Sequence, residues 1–194
     1  MRRNLLAMAM AATAVLGLGM AATGDDYTID PVHSSVTFQV SHLDLAWLNG
    51  RFNEFSGTFS LDPSDPSKSS FKMTINPESV DTNNTKRDGH LRSPDFFNTK
   101  QFPTVSFSST AVKPIEGGYQ VTGDLDLHGV TKPITFTLKG GKIAQFMGGQ
   151  RTGFTTQFVL KRSEFGVGNP KFAKMLGDDI WVAVGFEGAK AKKK

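Results

Sequence analysis

The chain has 194 residues, 22 Lys and Arg against 18 Asp and Glu, and no cysteine. Without a thiol there is no disulfide, no thiol nucleophile, no cysteine-ligated metal and no lipoprotein anchor. Of the formal charge of +4, Arg2 and Arg3 belong to the amino-terminal leader and Lys190, Lys192, Lys193 and Lys194 to the carboxyl-terminal end; without those six the body carries about −2, which argues against the basic folded face a nucleic-acid partner needs.

Residues 1–22 run from the two arginines through an apolar stretch, Leu5 to Leu18, to Gly19, Ala21 and Ala22, the order of a cleaved export signal. The apolar stretch is shorter than the ~20 residues of a membrane-spanning helix. The expectation is cleavage after Ala21 or Ala22 and a periplasmic protein, with twin-arginine export as an alternative route. Residues 189–194 read as a solvated lysine-rich tail with at most weak contact to an anionic membrane surface. Residues 23–188, about 165 in all, suffice for one domain with a full core.

From Ser35 the sequence alternates with period two, placing Val36, Phe38, Val40 and His42 on one face and Thr37, Gln39 and Ser41 on the other, as in a half-buried strand. Leu45 to Leu48 is a short apolar link without clear period. Arg51 to Leu61 aligns Phe55, Gly57, Phe59 and Leu61, but Phe52 falls out of phase, which calls for a bulge or a second covered surface. Asp62 to Ser67 is turn chemistry, and Ser70 to Asn76 returns to alternation with Phe71, Met73 and Ile75.

Between Asn83 and Ser108 the period breaks. Ser93-Pro94-Asp95 offers a hydroxyl cap, a proline for the first helical position and an early carboxylate, so a helical turn bearing Phe96 and Phe97 is predicted to start there. Lys86, Arg87, His90 and Arg92 gather potential cations just upstream. Alternation resumes around Val105 and Phe107 and runs to Val112, with a loop expected at Pro114 and a hairpin at Gly117-Gly118. Tyr119 to Leu127 alternates most regularly, with Val121, Gly123 and Leu125 aligned. His128-Gly129 supplies a turn, Ile134, Phe136 and Leu138 align on the return, and Gly140-Gly141 and Gly148-Gly149 mark breaks. Arg151 to Leu160 stacks Phe154, Thr156, Phe158 and Leu160, and Asp179 to Glu187 stacks Ile180, Val182, Val184 and Phe186.

About eight short antiparallel strands with one helical insertion make an all-β domain, either a closed barrel or a two-layer sandwich. Sixteen phenylalanines against two tryptophans and two tyrosines, mostly at inward positions, fit a cavity for an elongated apolar ligand; they also fit a solid core of rings packed on rings. The four histidines, His33, His42, His90 and His128, match no metal-ligand spacing, and no nucleophile elbow, phosphate loop or dinucleotide fingerprint occurs. His42 shares the inward face with Phe38 and needs a hydrogen-bond partner if buried. Arg87, His90, Arg92 and Arg162 are candidates to hold a phosphate or polarise a carbonyl head group, or else to tie the helix to the sheet through Asp88 or Asp95.

Four segments in order, Ile29 to Phe38 with His42, Arg87 to Phe97 with Phe102-Pro103, Gly123 to Leu125 with His128 to Pro133, and Lys161 to Gly166, resemble the YceI-like proteins. The resemblance implies an extended lipocalin-like, eight-stranded antiparallel barrel, usually exported, enclosing a long isoprenoid or other lipid chain, with no established enzymatic activity and no catalytic cofactor. On that reading Phe38, Val40, His42, Phe55, Phe59, Phe96, Phe97, Phe107, Leu125, Phe136, Phe154 and Phe158 line the tunnel. Arg87, His90, Arg92 and Arg162 would at most orient the head group of a polyprenyl phosphate or quinone-like ligand. Two alternatives stay open: a lipid head-group-modifying enzyme using His42 or His90 with a neighbouring arginine, and a stress-related structural protein with a solid core. The oligomeric state is open too, a homodimer among the options.

Overall fold

The computed structural model describes residues 24–191; the proposed leader and Lys192 to Lys194 lie outside the described residues. The first strand, β1 (Asp25–His42), is 18 residues long and is partnered differently along its length. Asp25 to Thr28 pair with β3 (Phe55–Leu61), and Val36 to His42 with β2 (Ala46–Phe52). Asn53 and Glu54 separate these two partners, their backbone N–H groups donating to the carbonyl and hydroxyl of Ser79. β2 and β3 therefore act as one bent strand, and the bend is the irregularity that the phase of Phe52 announced. The apolar link Leu45 to Leu48 largely belongs to β2.

From β3 the chain continues through β4 (Ser70–Ile75), the two-residue β5 (Val80–Asp81) beside β2, and α1 (Thr85–Arg92), to β6 (Val105–Ile115), β7 (Gly118–Leu127), β8 (Val130–Phe146), β9 (Gly149–Lys161) and β10 (Leu176–Lys190). Neighbours pair antiparallel in the order β3-β4-β6-β7-β8-β9-β10, and β10 pairs with β1. Taking β2 and β3 as one strand, the result is a closed, eight-stranded antiparallel barrel with one short helix. Closure leaves no free pair of edges around the ring.

Several local expectations are corrected. The helix does not begin at Ser93: the Asn84 side chain accepts from Arg87 N–H at its start, and Ser93 ends it, its hydroxyl donating to the His90 carbonyl at 2.7 Å. A Ser-Pro pair serves a helix end as readily as a start, because proline stops the continuation. Pro114 lies within β6, opposite Tyr119. Gly140-Gly141 does not end a strand but forms a bulge in β8, with φ of 128° and 91° that only glycine adopts readily. β10 extends through Lys190, whose Nζ meets Asp25 at 2.5 Å, so two residues assigned to the tail belong to the barrel.

The interior is divided by height. Tyr27, Phe59, Leu61, Phe71, Val112, Val121, Leu138, Phe154 and Phe186 fill the end near Asp25 and Lys190. Their rings interlock, with Tyr27 stacked on Phe59 at 4.9 Å and Phe154 edge-on to both Phe59 (5.9 Å) and Phe71 (5.6 Å). This half is a plug. The other half, under α1 and the connection between β9 and β10, is where the cavity lies.

Candidate functional site

An apolar cavity of about 210 Å³ occupies that upper half. Each strand contributes inward side chains by the alternation of its sequence: Phe38 and Val40 from β1, Phe107 from β6, Leu125 from β7, Phe136 from β8, Phe158 and Leu160 from β9, and Ile180 and Val182 from β10. Leu91 of α1, with Phe96 and Phe97 just after it, adds to the wall from outside the sheet. Rings set the wall, Phe136 stacking on Phe158 at 5.1 Å and Phe97 meeting Phe52 edge-on at 5.6 Å. The Phe38 ring packs over its cross-strand partner Gly50; a Cβ there would fall 2.3 Å from the ring.

Of the twelve residues expected on a tunnel wall, Phe38, Val40, Phe96, Phe97, Phe107, Leu125, Phe136 and Phe158 line this cavity. Phe59 and Phe154 instead belong to the plug, and Phe55 packs at its margin. They do point inward, but the strand register sets them below the cavity floor. His42 is a correction of another kind: it ends β1 between Ala46 and Leu176, half-buried, and does not line the cavity. Phe52, Leu91 and Leu176 line it unforeseen. The dislocated phase of Phe52 was the only signal for the first, and the second needed the true helix position.

The cations divide similarly. Arg87 donates to the Thr82 hydroxyl (2.7 Å) and carbonyl (2.6 Å), and the buried Asp88 carboxylate accepts from the same residue's N–H and hydroxyl. Arg92 donates to the carbonyls of Glu78 (2.7 Å) and Val80 (3.0 Å). Both thus fasten α1 to the segment around β5. His90 meets Asp95 at 3.0 Å with its ring edge-on to Phe96 and Phe172. His90 first and Lys171 second hold the Asp95 carboxyl below the usual range. None of Arg87, His90 and Arg92 lines the cavity.

Arg162 does reach the wall. It is 7% exposed, and its guanidinium donates to the carbonyls of Gly177 (3.0 Å), Val167 (3.1 Å), Leu176 (3.2 Å) and, weakly, Gly168 (3.5 Å). Four acceptors from one connection make it a clasp for residues 162–177. Near the floor, the buried Thr156 hydroxyl has no hydrogen-bond partner among the described residues. Among those residues no three His, Asp or Glu side chains stand together as a metal-ligand set.

A YceI-like domain matches residues 27–187. A UPF0312 protein of Pseudomonas aeruginosa is 43% identical over 171 residues, covering 86% of this chain and 88% of its own. The YceI protein of an Escherichia coli O6:H1 strain is 41% identical over 170 residues, with the same coverage. Among solved structures, Burkholderia cenocepacia BcnA superposes with a TM-score of 0.72 at 25% identity, covering 82% of this chain and 98% of its own. A domain from Saccharophagus degradans, described as polyisoprenoid binding and implicated in plant cell wall breakdown, gives 0.66 at 18% identity, covering 85% and 98%, a likeness of fold. With the family match spanning almost the whole barrel, the chain belongs to the YceI-like domain family.

Proposed function

We propose that this protein is an exported, periplasmic carrier that holds the tail of an isoprenoid or related lipid in the upper half of its barrel, without acting on it chemically. The carrying observation is the cavity itself, a wall of phenylalanine and aliphatic side chains inside a closed barrel. At ~0.8 kcal/mol per buried CH₂, each five-carbon isoprene unit contributes roughly 3 to 4 kcal/mol before ordering costs, against ~1 kcal/mol for an ordinary hydrogen bond. The tail dominates affinity, and head-group selectivity is modest.

The geometry also bounds the tail. The lining runs from Thr156 to Leu160 on β9 and from Phe186 to Ile180 on β10, four to six residues, or roughly 13–20 Å along the strands at about 3.3 Å per residue. That holds a few isoprene units, and a longer chain has to part the rings of the plug. The description of the Saccharophagus domain is consistent with this reading, and the cavity supplies the reason for it here. Native mass spectrometry and lipid extraction of protein purified from an isoprenoid-rich periplasm test the proposal. A co-purified prenyl lipid, or uptake of added polyprenyl phosphate or quinone, is expected; protein that stays empty under both conditions refutes it.

A further inference from the structure

We infer that the β1–β2 hairpin and the two tryptophans beside it form a membrane-docking surface, by which the cavity end of the barrel seats on a phospholipid bilayer. This rests on the carrier reading. Leu45, at the hairpin tip, is 83% exposed, and Leu43, Trp47, Met175 and Trp181 are each 40–50% exposed. They are contiguous: Leu43 N–H donates to the Met175 carbonyl at 2.8 Å, and Trp47 and Trp181 meet edge-on at 6.4 Å. Both tryptophans of the chain stand here, outside the barrel, although tryptophan is a residue that folding usually covers.

The turn supplies a second, independent observation. Leu43 and Asp44 have φ of 54° and 53°, and Leu45 N–H closes onto the His42 carbonyl at 3.0 Å. Two successive positive φ angles are the pattern of a type I′ turn, in which asparagine and glycine sit without strain and leucine does not. The chain therefore keeps a strained, solvent-facing leucine where a polar residue would stabilise the fold. Strain retained together with exposure points to a role outside the fold.

The occupant follows from position and chemistry. The cavity wall ends at Val40 and Leu176, adjacent to the hairpin in the β1–β10 register. A ligand that fits the wall resides in a bilayer, so the end it enters must meet one. Leucines that enter the acyl region, with indoles at the head-group level, are the arrangement of an interfacial anchor. The charges permit it: the Asp44 carboxylate turns back to accept from Ser41 at 3.0 Å, Lys171 is paired with Asp95, and Lys174, next to Met175, has no ion-pair partner among the described residues and is free for a lipid phosphate.

Intrinsic fluorescence reads this surface directly, because every indole lies in it. Full-length mature protein is mixed with vesicles of phosphatidylethanolamine and phosphatidylglycerol, with and without brominated acyl chains. A blue shift with quenching by the brominated lipid is expected, and co-flotation with the vesicles. Leu45→Asp should reduce flotation about tenfold or more, as loss of a buried apolar anchor and gain of a charge require. Leu43→Asn should reduce it too while raising the melting temperature, since it relieves the turn. Loading of prenyl lipid from detergent micelles, read by native mass spectrometry, should be unchanged in both variants, which separates failure of docking from failure of the carrier reading. Wild-type protein that ignores vesicles, variants that float as well as wild type, or a blue shift that grows with protein concentration alone and marks contact between two copies, would each overturn the inference.

Discussion

Substituting Arg162, the buried cation on the cavity wall, shows whether it serves the ligand or the fold. In Arg162→Met the apolar stem and most of the volume stay, but the carbonyls of Val167, Leu176 and Gly177 lose donors now at 3.0–3.2 Å. Hydrogen bonds from a charged donor contribute ~1.5 to 3 kcal/mol each, while removing a buried charge returns several kcal/mol of desolvation. The difference leaves a net loss of about 3 kcal/mol, which at roughly 2–4 °C per kcal/mol for a domain of this size lowers the melting temperature by about 6–12 °C. Arg162→Lys recovers little of this, because one ammonium cannot reach carbonyls spread across the fork of a guanidinium. Thermal unfolding followed by circular dichroism, with bound lipid quantified by native mass spectrometry, separates the two roles. If Arg162→Met melts within a couple of degrees of wild type yet loses its lipid, and Arg162→Lys regains it, Arg162 is a head-group ligand and the clasp argument is wrong.

Thr156→Val removes the unpartnered buried hydroxyl near the floor and should stabilise the ligand-free protein by about 1 kcal/mol, visible as a higher melting temperature with lipid uptake retained. Gly50→Ala places a methyl group where the Phe38 ring lies, driving the ring toward the cavity; overpacking of this kind costs ~1 to 3 kcal/mol, and lipid retained after purification should fall. The Arg151 guanidinium first, then His33 and the Val32 N–H, hold the Asp30 carboxyl well below its usual range. A depressed folded-state value contributes stability that is complete above the unfolded carboxylate value of about 3.9 and is lost as pH falls toward the folded one. Asp30→Asn should therefore melt below wild type at neutral pH, with the gap narrowing below about pH 4; a gap that stays constant into acid would exclude this ion pair as its source.

The barrel was legible because a two-residue period survives wherever one face is buried, and Tyr119 to Leu127 or Arg151 to Leu160 could hardly be read otherwise. Height inside the barrel was not. Phe38 and Phe59 carry the same local signal, an inward phenylalanine in an alternating strand, yet register places one on the cavity wall and the other in the plug. Register is fixed by pairing between distant strands, such as Phe38 with Val182 and Phe59 with Phe71, and no local pattern encodes it. The start of the helix is ambiguous in the sequence for a related reason: Asn84 and Ser93 both carry capping chemistry, and only the bonds of Arg87, Asp88 and Arg92 to the chain around β5 choose between them. Those same bonds explain why clustered cations looked like a head-group site. Sequence shows that charges are adjacent; only the fold shows that Arg87 and Arg92 point at backbone carbonyls and a threonine.

The solid-core and open-tunnel readings of the phenylalanines both describe part of this molecule, and their combination has a consequence for selectivity. The plug is built from rings in mutual edge and face contact, Phe59 alone meeting Tyr27, Phe71, Phe154 and Phe186. Extending the cavity downward would mean separating those contacts, each worth ~0.5 to 1.5 kcal/mol beyond its area, while an added isoprene unit returns roughly 3 to 4 kcal/mol. These quantities are comparable, so the plug does not select a sharp tail length as a rigid floor would. Affinity should rise steeply with chain length until the upper cavity is full and only weakly thereafter. Truncating a plug ring, as in Phe154→Leu, should move that turning point to longer chains, and a prenol series titrated against wild type and variant would show it. An unchanged turning point would mean that the tail's far end lies outside the barrel rather than against the plug.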